Sequence, residues 1–347
     1  MASDLTLRAG LSYAGQLRSE LAQRNRLYAR RYAHVESYGA SPVIVYVPEG
    51  GLHGNFYSPA YAAITAHPEW TRRFDKIHAQ GRSLPKQQID SVRKWRELDS
   101  SMSSDALLMN IFCTHEVTAS PTLKRMLGID AAAAEPAFGW KARVPLKNNR
   151  VDRTEVDMRW GGLLVEAKLT ESDFQCRDTS LVEAYRDIDE VFDRELLPRV
   201  KIRTRRRREA VEFAEEFTQE WEQPSEDAAS HARAFQASLE LRADAEQPWQ
   251  CGYASYQLIR NVLAAHATDA SFCVIHDQRR PDLREAWFNV MSAVKSAEMR
   301  IRCKVLTWQE LVPFLPEGLQ EFIHAKYGIV APGAIPLTVE ELEGRQR

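Results

Sequence analysis

No run of apolar residues in this chain approaches the roughly 18 needed for a membrane-spanning helix, so no membrane partner is expected. Residues 1–10 lack the basic-then-apolar pattern of a secretory leader, and the expected location is cytoplasmic. Cysteine is scarce, five in 347 residues at scattered spacings, which speaks for reduced thiols and against a disulfide framework. No CxxC or HxxxH pair offers zinc-ligand spacing. Cys113, Cys273 and Cys303 sit in apolar segments and read as core, whereas Cys176 and Cys251 flank a charged stretch and are expected near its neck, without a structural metal. Walker-type, dinucleotide-binding and zinc-protease motifs are all missing. So is an excess of positive charge: the formal net charge is −2, unlike a protein that coats nucleic acid. An enzyme that engages DNA through one local groove is still compatible with that balance. What remains, 44% hydrophobic and 27% charged, is an ordinary globular chain long enough to bury a core.

The first 97 residues read as a mainly helical region, with Leu17, Leu21, Leu27 and Tyr28 at helical spacing and one strand, Val43–Val47, closed by Pro48 and Gly50-Gly51. His53 and Asn55 fall in the loop that follows, where a lone histidine is read as solvated. Tyr57, Tyr61, Trp70, Phe74 and Trp95 are read as core rather than as base-stacking groups. Serines at 100–104 cap an apolar helix. Alternating strands follow at 138–146 and 151–169, then a charged, glycine-poor, helical stretch from about 177 to 247. After it come a helix at about 253–266, a buried-type strand at 271–276, a helix at about 283–296 and a strand at 301–306. Without the charged stretch, the order is helix, three strands, helix, strand, helix, strand, which favours an α/β sandwich with a mixed sheet.

Residues 153–169, RTEVDMRWGGLLVEAKL, carry the chemistry. Gly161-Gly162 between two alternating runs signals a two-residue hairpin in which both glycines are free to take positive φ. Trp160 then faces Leu163, paired residue numbers sum to 323, and Asp157 lies across from Glu166, as Glu155 does from Lys168. One face, from Val156 to Leu169, is expected to be wholly apolar; the other holds Glu155, Asp157, Arg159, Leu164, Glu166 and Lys168. Ordinary half-buried hairpins explain the alternation, but not two carboxylates directly opposed, which repel by about 0.2–1 kcal/mol when exposed. A hard divalent cation between them reverses the sign of that interaction. Two acids and a lysine on one face suit phosphate-ester hydrolysis, in which such a cation lowers the pKa of water and neutralises developing charge.

Asp157, a short gap, then Glu166-Ala167-Lys168 resembles the signature of the PD-(D/E)XK nucleases, over about residues 100–170 and 250–306. The resemblance implies a restriction-endonuclease-like αβα sandwich at residues 98–347, interrupted by the charged helical insertion. It implies Mg²⁺ (with Mn²⁺ able to substitute) held by Asp157 and Glu166, and Lys168 orienting or activating the water. It also implies an acid on the first core helix, for which Glu116 and Asp105 both qualify, and a glutamine on the helix after the meander. Gln257 fits that place, lining the site's mouth or simply lying on the helix surface. Glu155 is read as the partner that fixes Lys168, ahead of a further acid near the metal. Residues 199–208 are basic at seven of ten positions. Arg205, Arg206, Arg207 and Arg208 are assigned to DNA phosphates, against a solvated helix paired with the glutamates that follow. The function so implied is a DNA endonuclease of restriction or phage defence, with repair or recombination as another setting, and a homodimer by analogy with enzymes that cut both strands. The rival is a non-catalytic nucleic-acid-binding or scaffold protein on the same fold.

Overall fold

Local sequence sets most element boundaries in the computed structural model, which describes residues 11–37, 43–77, 95–203, 249–338 and 341. Ser12 caps α1 (Tyr13–Tyr28) by accepting from the Gly15 N–H, and the stripe Leu17, Leu21, Leu27 and Tyr28 is buried. A short hairpin, β1 (His34–Glu36) and β2 (Ile44–Tyr46), precedes α2 (Ser58–Ala66) and α3 (Pro68–Phe74), both with proline in the first turn. Ser103 caps α4 (Ser104–Phe112), Ser120 caps α6 (Pro121–Leu127), and α5 (His115–Ala119) lies between them. The strands β3 (Ala137–Lys141), β4 (Val144–Pro145), β5 (Val151–Asp152), β6 (Glu155–Trp160) and β7 (Leu163–Ala167) follow. Beyond β8 (Arg177–Asp178), α7 (Thr179–Val182), α8 (Ile188–Val191), β9 (Arg199–Arg203) and β10 (Trp249–Tyr253), helix and strand alternate. They run α9 (Tyr256–Ala267), β11 (Ser271–His276), α10 (Pro281–Ser292), α11 (Ala297–Arg302) and β12 (Cys303–Thr307), with α12 (Trp308–Leu311) and α13 (Glu317–Tyr327) last.

The central sheet runs β12-β11-β7-β6-β3. β3, β6 and β7 form the antiparallel meander, while β7, β11 and β12 are parallel, so the sheet is mixed and the protein is of the α/β class. Apolar side chains leave both faces. On one, Met158, Trp160, Val165 and Ile275 pack with α1, α4, α13 and β2; on the other, Leu164, Phe272 and Val274 pack with α9 and α10. Each fully buried Leu or Val contributes about 1.5–3 kcal/mol. Residues before 98 are not apart from this: α1 and β2 belong to the first core, and Phe56, Ile64, Trp70 and Phe74 share a third with Leu98, Ala106 and Met109 of the following segment. No helix among the described residues is long and apolar enough to cross a membrane.

Two expectations are corrected. His53 is not solvated but 2% exposed, ringed by Tyr46, Phe56, Tyr61 and Phe74, with Nε2 3.0 Å from Asp99 Oδ1 and the Asn55 N–H donating to Nδ1. The charged stretch is not helical throughout. Its basic start, Arg199–Arg203, is strand β9, paired antiparallel with β10 as Arg203↔Trp249 through Arg199↔Tyr253. That ladder is the neck from which residues 204–248 depart, and Arg205 to Arg208 lie outside the described residues. Cys176 and Cys251 are free thiols and do not pair across the neck: Cys251 faces Lys201, and β8 meets β10 at Tyr253↔Arg177, one residue beyond Cys176.

Burial pushes the His53 pKa below its usual value, against the opposing pull of Asp99; Arg96 and Lys326 add to the lowering. A base depressed by folding is neutral in the fold yet titrates near 6.5 when unfolded, so its contribution is intact above pH 6.5 and lost as pH falls towards the depressed value. Stability measured by urea unfolding is expected to drop between pH 7 and 5, His53 supplying up to about 1.4 kcal/mol per pH unit. His53→Gln should flatten that slope; an unchanged slope would remove His53 as its source.

Candidate active site

The hairpin forms in the expected register: Trp160↔Leu163, Arg159↔Leu164 and Met158↔Val165. Of the two turn glycines only Gly161 takes positive φ, at 57°. Regular pairing then stops. In place of another rung, the Ala167 N–H donates to Asp157 Oδ2 at 2.7 Å. On the other side, the β3–β6 ladder passes from Phe138↔Met158 to Trp140↔Val156 without a rung at Gly139, whose φ is +62°. The meander is therefore distorted where Asp157 sits, and the alternation breaks there: Met158 packs in the first core but Val156 in the second, with Leu164. The expected single apolar face from Val156 to Leu169 is corrected accordingly.

Asp157, Glu166 and Lys168 do converge. Lys168 Nζ donates to Glu166 Oε1 at 2.8 Å, and the backbone N–H between them is the one that Asp157 holds. Glu166 is 1% exposed and Lys168 5%. They stand where β7 ends, at the carboxyl edge of the parallel strands, which is where open α/β sheets place ligands. The Lys168 backbone is pinned on both sides, its N–H donating to Ile275 O and its C=O accepting from the Trp308 indole, each at 2.9 Å.

The charges are unbalanced. Burial, then Glu166 and Asp105, hold the Asp157 carboxyl well above the usual carboxylate range, while Lys168 and the Ala167 N–H pull it back. Burial works against the Lys168 ammonium, but Glu166, Glu171 and Asp157 outweigh it and raise its pKa, so Lys168 is protonated. Among the described residues no group of three or more His, Cys, Asp or Glu side chains is placed to hold a metal ion. Any ion would rest on two carboxylates, Asp157 and Glu166, with water and substrate completing the shell, the arrangement Mg²⁺ favours. Hard oxygen donors, with Glu166 buried and Asp157 half-buried beside it, fit such a cation.

Other expected residues are placed differently. Glu155 does not fix Lys168: its Oε2 pairs with Lys76 Nζ at 2.8 Å, and the lysine turns to Glu166 instead. Glu116 is exposed on α5, while Asp105, in the first turn of α4, is the helix acid whose charge reaches Asp157. Gln257 lies in the first turn of α9 with its Oε1 buried and unpartnered, and the residue that touches the site is Asn261, one turn on. Asn261 is 0% exposed and donates through Nδ2 to Glu166 Oε2 at 2.8 Å. Its neighbour Arg260 donates to Glu155 O at 2.9 Å, so consecutive residues of α9 hold both acid-bearing strands. Asn261 had one sequence signal, a polar residue on the otherwise apolar stripe Leu258, Val262 and Ala265. Glu171 was also missed: it accepts from the Leu169 N–H at 2.6 Å and from Ser104 Oγ at 2.5 Å, joining the strand exit to α4.

A family model described as restriction endonuclease associating with ARP matches residues 19–328. No curated protein and no solved structure matches the chain.

Proposed function

The chain belongs to this family of restriction endonucleases, and from that premise we propose that it is a metal-dependent nuclease hydrolysing phosphodiester bonds in DNA, on the restriction-endonuclease-like αβα sandwich of the PD-(D/E)XK enzymes. The observation that carries the proposal is the meeting of Asp157, Glu166 and Lys168 at the end of β7, two carboxylates against one ammonium. Asp157 and Glu166 would hold Mg²⁺, or Mn²⁺ in its stead, which would supply a water of lowered pKa and neutralise charge on the phosphoryl oxygens.

The chain's own groups do the rest. Each carboxylate oxygen has a second lone pair, so Glu166 can bind a cation while still accepting from Lys168 and Asn261, and Asp157 while still accepting from Ala167. Lys168, placed beside Glu166, orients the attacking water and steadies the phosphoryl oxygens. Water oxygen bonds to phosphorus as one P–O ester bond breaks; the water gives its proton up to solvent and the leaving oxygen takes one from solvent. β10 runs directly into α9, the helix that carries Asn261, and Arg205 to Arg208, which follow β9 in sequence, are assigned to flanking phosphates.

The test is cleavage of plasmid and linear DNA with Mg²⁺, Mn²⁺ or EDTA. Lys168→Ala is expected to slow metal-dependent cutting by about 10²–10³-fold, the usual cost of removing one preorganised charge. Cutting that persists in EDTA, or that ignores the substitution, would overturn the assignment. Asn261→Ala is expected to weaken metal binding by roughly 10–100-fold, because Glu166 loses the donor that fixes its second oxygen. Calorimetric Mn²⁺ titration checks it: an unchanged affinity would make Asn261 a packing residue only.

A further inference from the structure

One side chain carries the amino-terminal region into the candidate site. Arg73 lies in the last turn of α3. That helix is set in place by Trp70 and Phe74, buried with Leu98, Ala106 and Met109, and by the Trp70 indole, which donates to Pro136 O at 2.8 Å. The stem of Arg73 passes over Gly139, the β3 residue whose rung to Asp157 is missing. A Cβ on Gly139 would stand 3.2 Å from Arg73 Cδ, so the glycine there serves the arginine's approach as well as the left-handed backbone. Arg73 is 9% exposed. It donates to Glu97 Oε2 at 2.8 Å and to Asp105 Oδ2, its Nε has no partner, and the negative charge of Asp157 acts on it.

A guanidinium kept for a substrate phosphate presents its fork of N–H groups free. Both terminal nitrogens of Arg73 are committed to carboxylates instead, one of them Asp105 on α4. Asp105 is near enough to Asp157 for its charge to be felt there, and the Arg73 guanidinium on its Oδ2 cancels that charge, so the site lacks the extra negative charge a second hard cation would need. Lys76, just beyond α3, treats Glu155 in the same way. Two basic residues from before position 98 thus engage the surplus acids around Asp157 and Glu166 and leave those two uncommitted to any arginine.

We propose that Arg73 is a resident counter-cation of the active site, which keeps Asp105 out of metal coordination so that the centre loads one divalent ion, on Asp157 and Glu166, rather than two. The proposal rests on the metal-dependent nuclease reading. Arg73 is in this role a positioning residue: it touches neither substrate nor metal and acts through Asp105.

The test is Mn²⁺ binding to the full-length protein, followed by the electron paramagnetic resonance signal of the free ion. Wild type is expected to bind one Mn²⁺ at the site, and Arg73→Gln to gain a second, weaker one that disappears again in Arg73→Gln/Asp105→Asn. Arg73→Lys, which keeps the charge, should stay at one. Arg73→Gln with one ion at wild-type affinity overturns the proposal. If Arg73→Gln does not fold, Asp105→Asn decides alone. It should retain the ion, weakened by no more than the roughly 10–100-fold typical of an outer partner, and loss of the ion would make Asp105 a ligand and end the proposal. Asp157→Ala separates the two layers, since wild type binding no Mn²⁺, or Asp157→Ala binding it as wild type does, defeats the nuclease site itself and this proposal with it.

Discussion

Asp157→Asn is expected to abolish metal-dependent DNA cleavage, by about 10³-fold or more, and at the same time to raise the melting temperature of the metal-free protein. The two effects have one cause. Burial and the neighbouring charges of Glu166 and Asp105 make an ionised Asp157 unfavourable, and Lys168 with the Ala167 N–H compensates only in part. Asparagine has the same shape, keeps an oxygen to accept from Ala167, and removes the charge. Without metal, that relief should be worth about 0.5–2 kcal/mol, the range common for single stabilising substitutions. Melting in EDTA checks it, at roughly 2–4 °C per kcal/mol for a chain of this order of size. With Mg²⁺ the ranking should narrow or reverse, because only the wild type gains stability from binding the ion. A variant less stable than wild type in EDTA would refute the account of crowded charge; a variant that still cuts would refute the site.

Arg280→Ala is expected to give the largest loss of stability of any single polar substitution at the strand exit. Arg280 is 0% exposed, yet its guanidinium has a full set of acceptors: Leu169 O at 3.2 Å, Glu171 O at 2.7 Å, Ser172 O at 3.0 Å and the Asp282 carboxylate at 2.8 Å. These carbonyls belong to the segment that leaves β7 immediately after Lys168, so the arginine stands in for the ladder partners the chain has just lost. Truncation removes the donor from three carbonyls and from a carboxylate that is itself a third exposed, at about 1–3 kcal/mol for each acceptor that stays buried. Arg280→Lys, a single point donor, should recover only part. Urea unfolding gives the stability, and Lys168-dependent cleavage measured well below the melting temperature gives the positional effect. A loss under about 1 kcal/mol would mean that water replaces the guanidinium, as at an exposed pair.

The contrast between Lys168 and Glu155 shows how far the sequence could be read. Their opposition across the hairpin follows from the register, and Trp160↔Leu163, Arg159↔Leu164 and Met158↔Val165 form as the two-glycine turn requires. Opposition did not become pairing. The ladder ends at Met158↔Val165, Glu155 turns to Lys76, just beyond a helix tens of residues earlier, and Lys168 turns to its own neighbour Glu166. The same holds for the helix acid. Asp105 and Glu116 are equivalent by sequence, and only the packing of α4 against the meander, with Arg73 beside it, separates them.

What the sequence by itself determined were the local quantities: the alternation of helix and strand after the charged stretch, the hairpin register, and the placing of Asp157 and Glu166 on strands that meet, with Lys168 just past the second. Period-two alternation and a two-residue turn act within a few residues of chain, so their outcome is legible there. Tertiary structure alone decided the distortion at Gly139 and Asp157, the donation from Asn261 to Glu166, the clamp of Arg280 on the strand exit and the entry of Arg73. Each is a contact between elements far apart in sequence, settled by which buried polar groups find partners once the sheet and its two helical layers have closed.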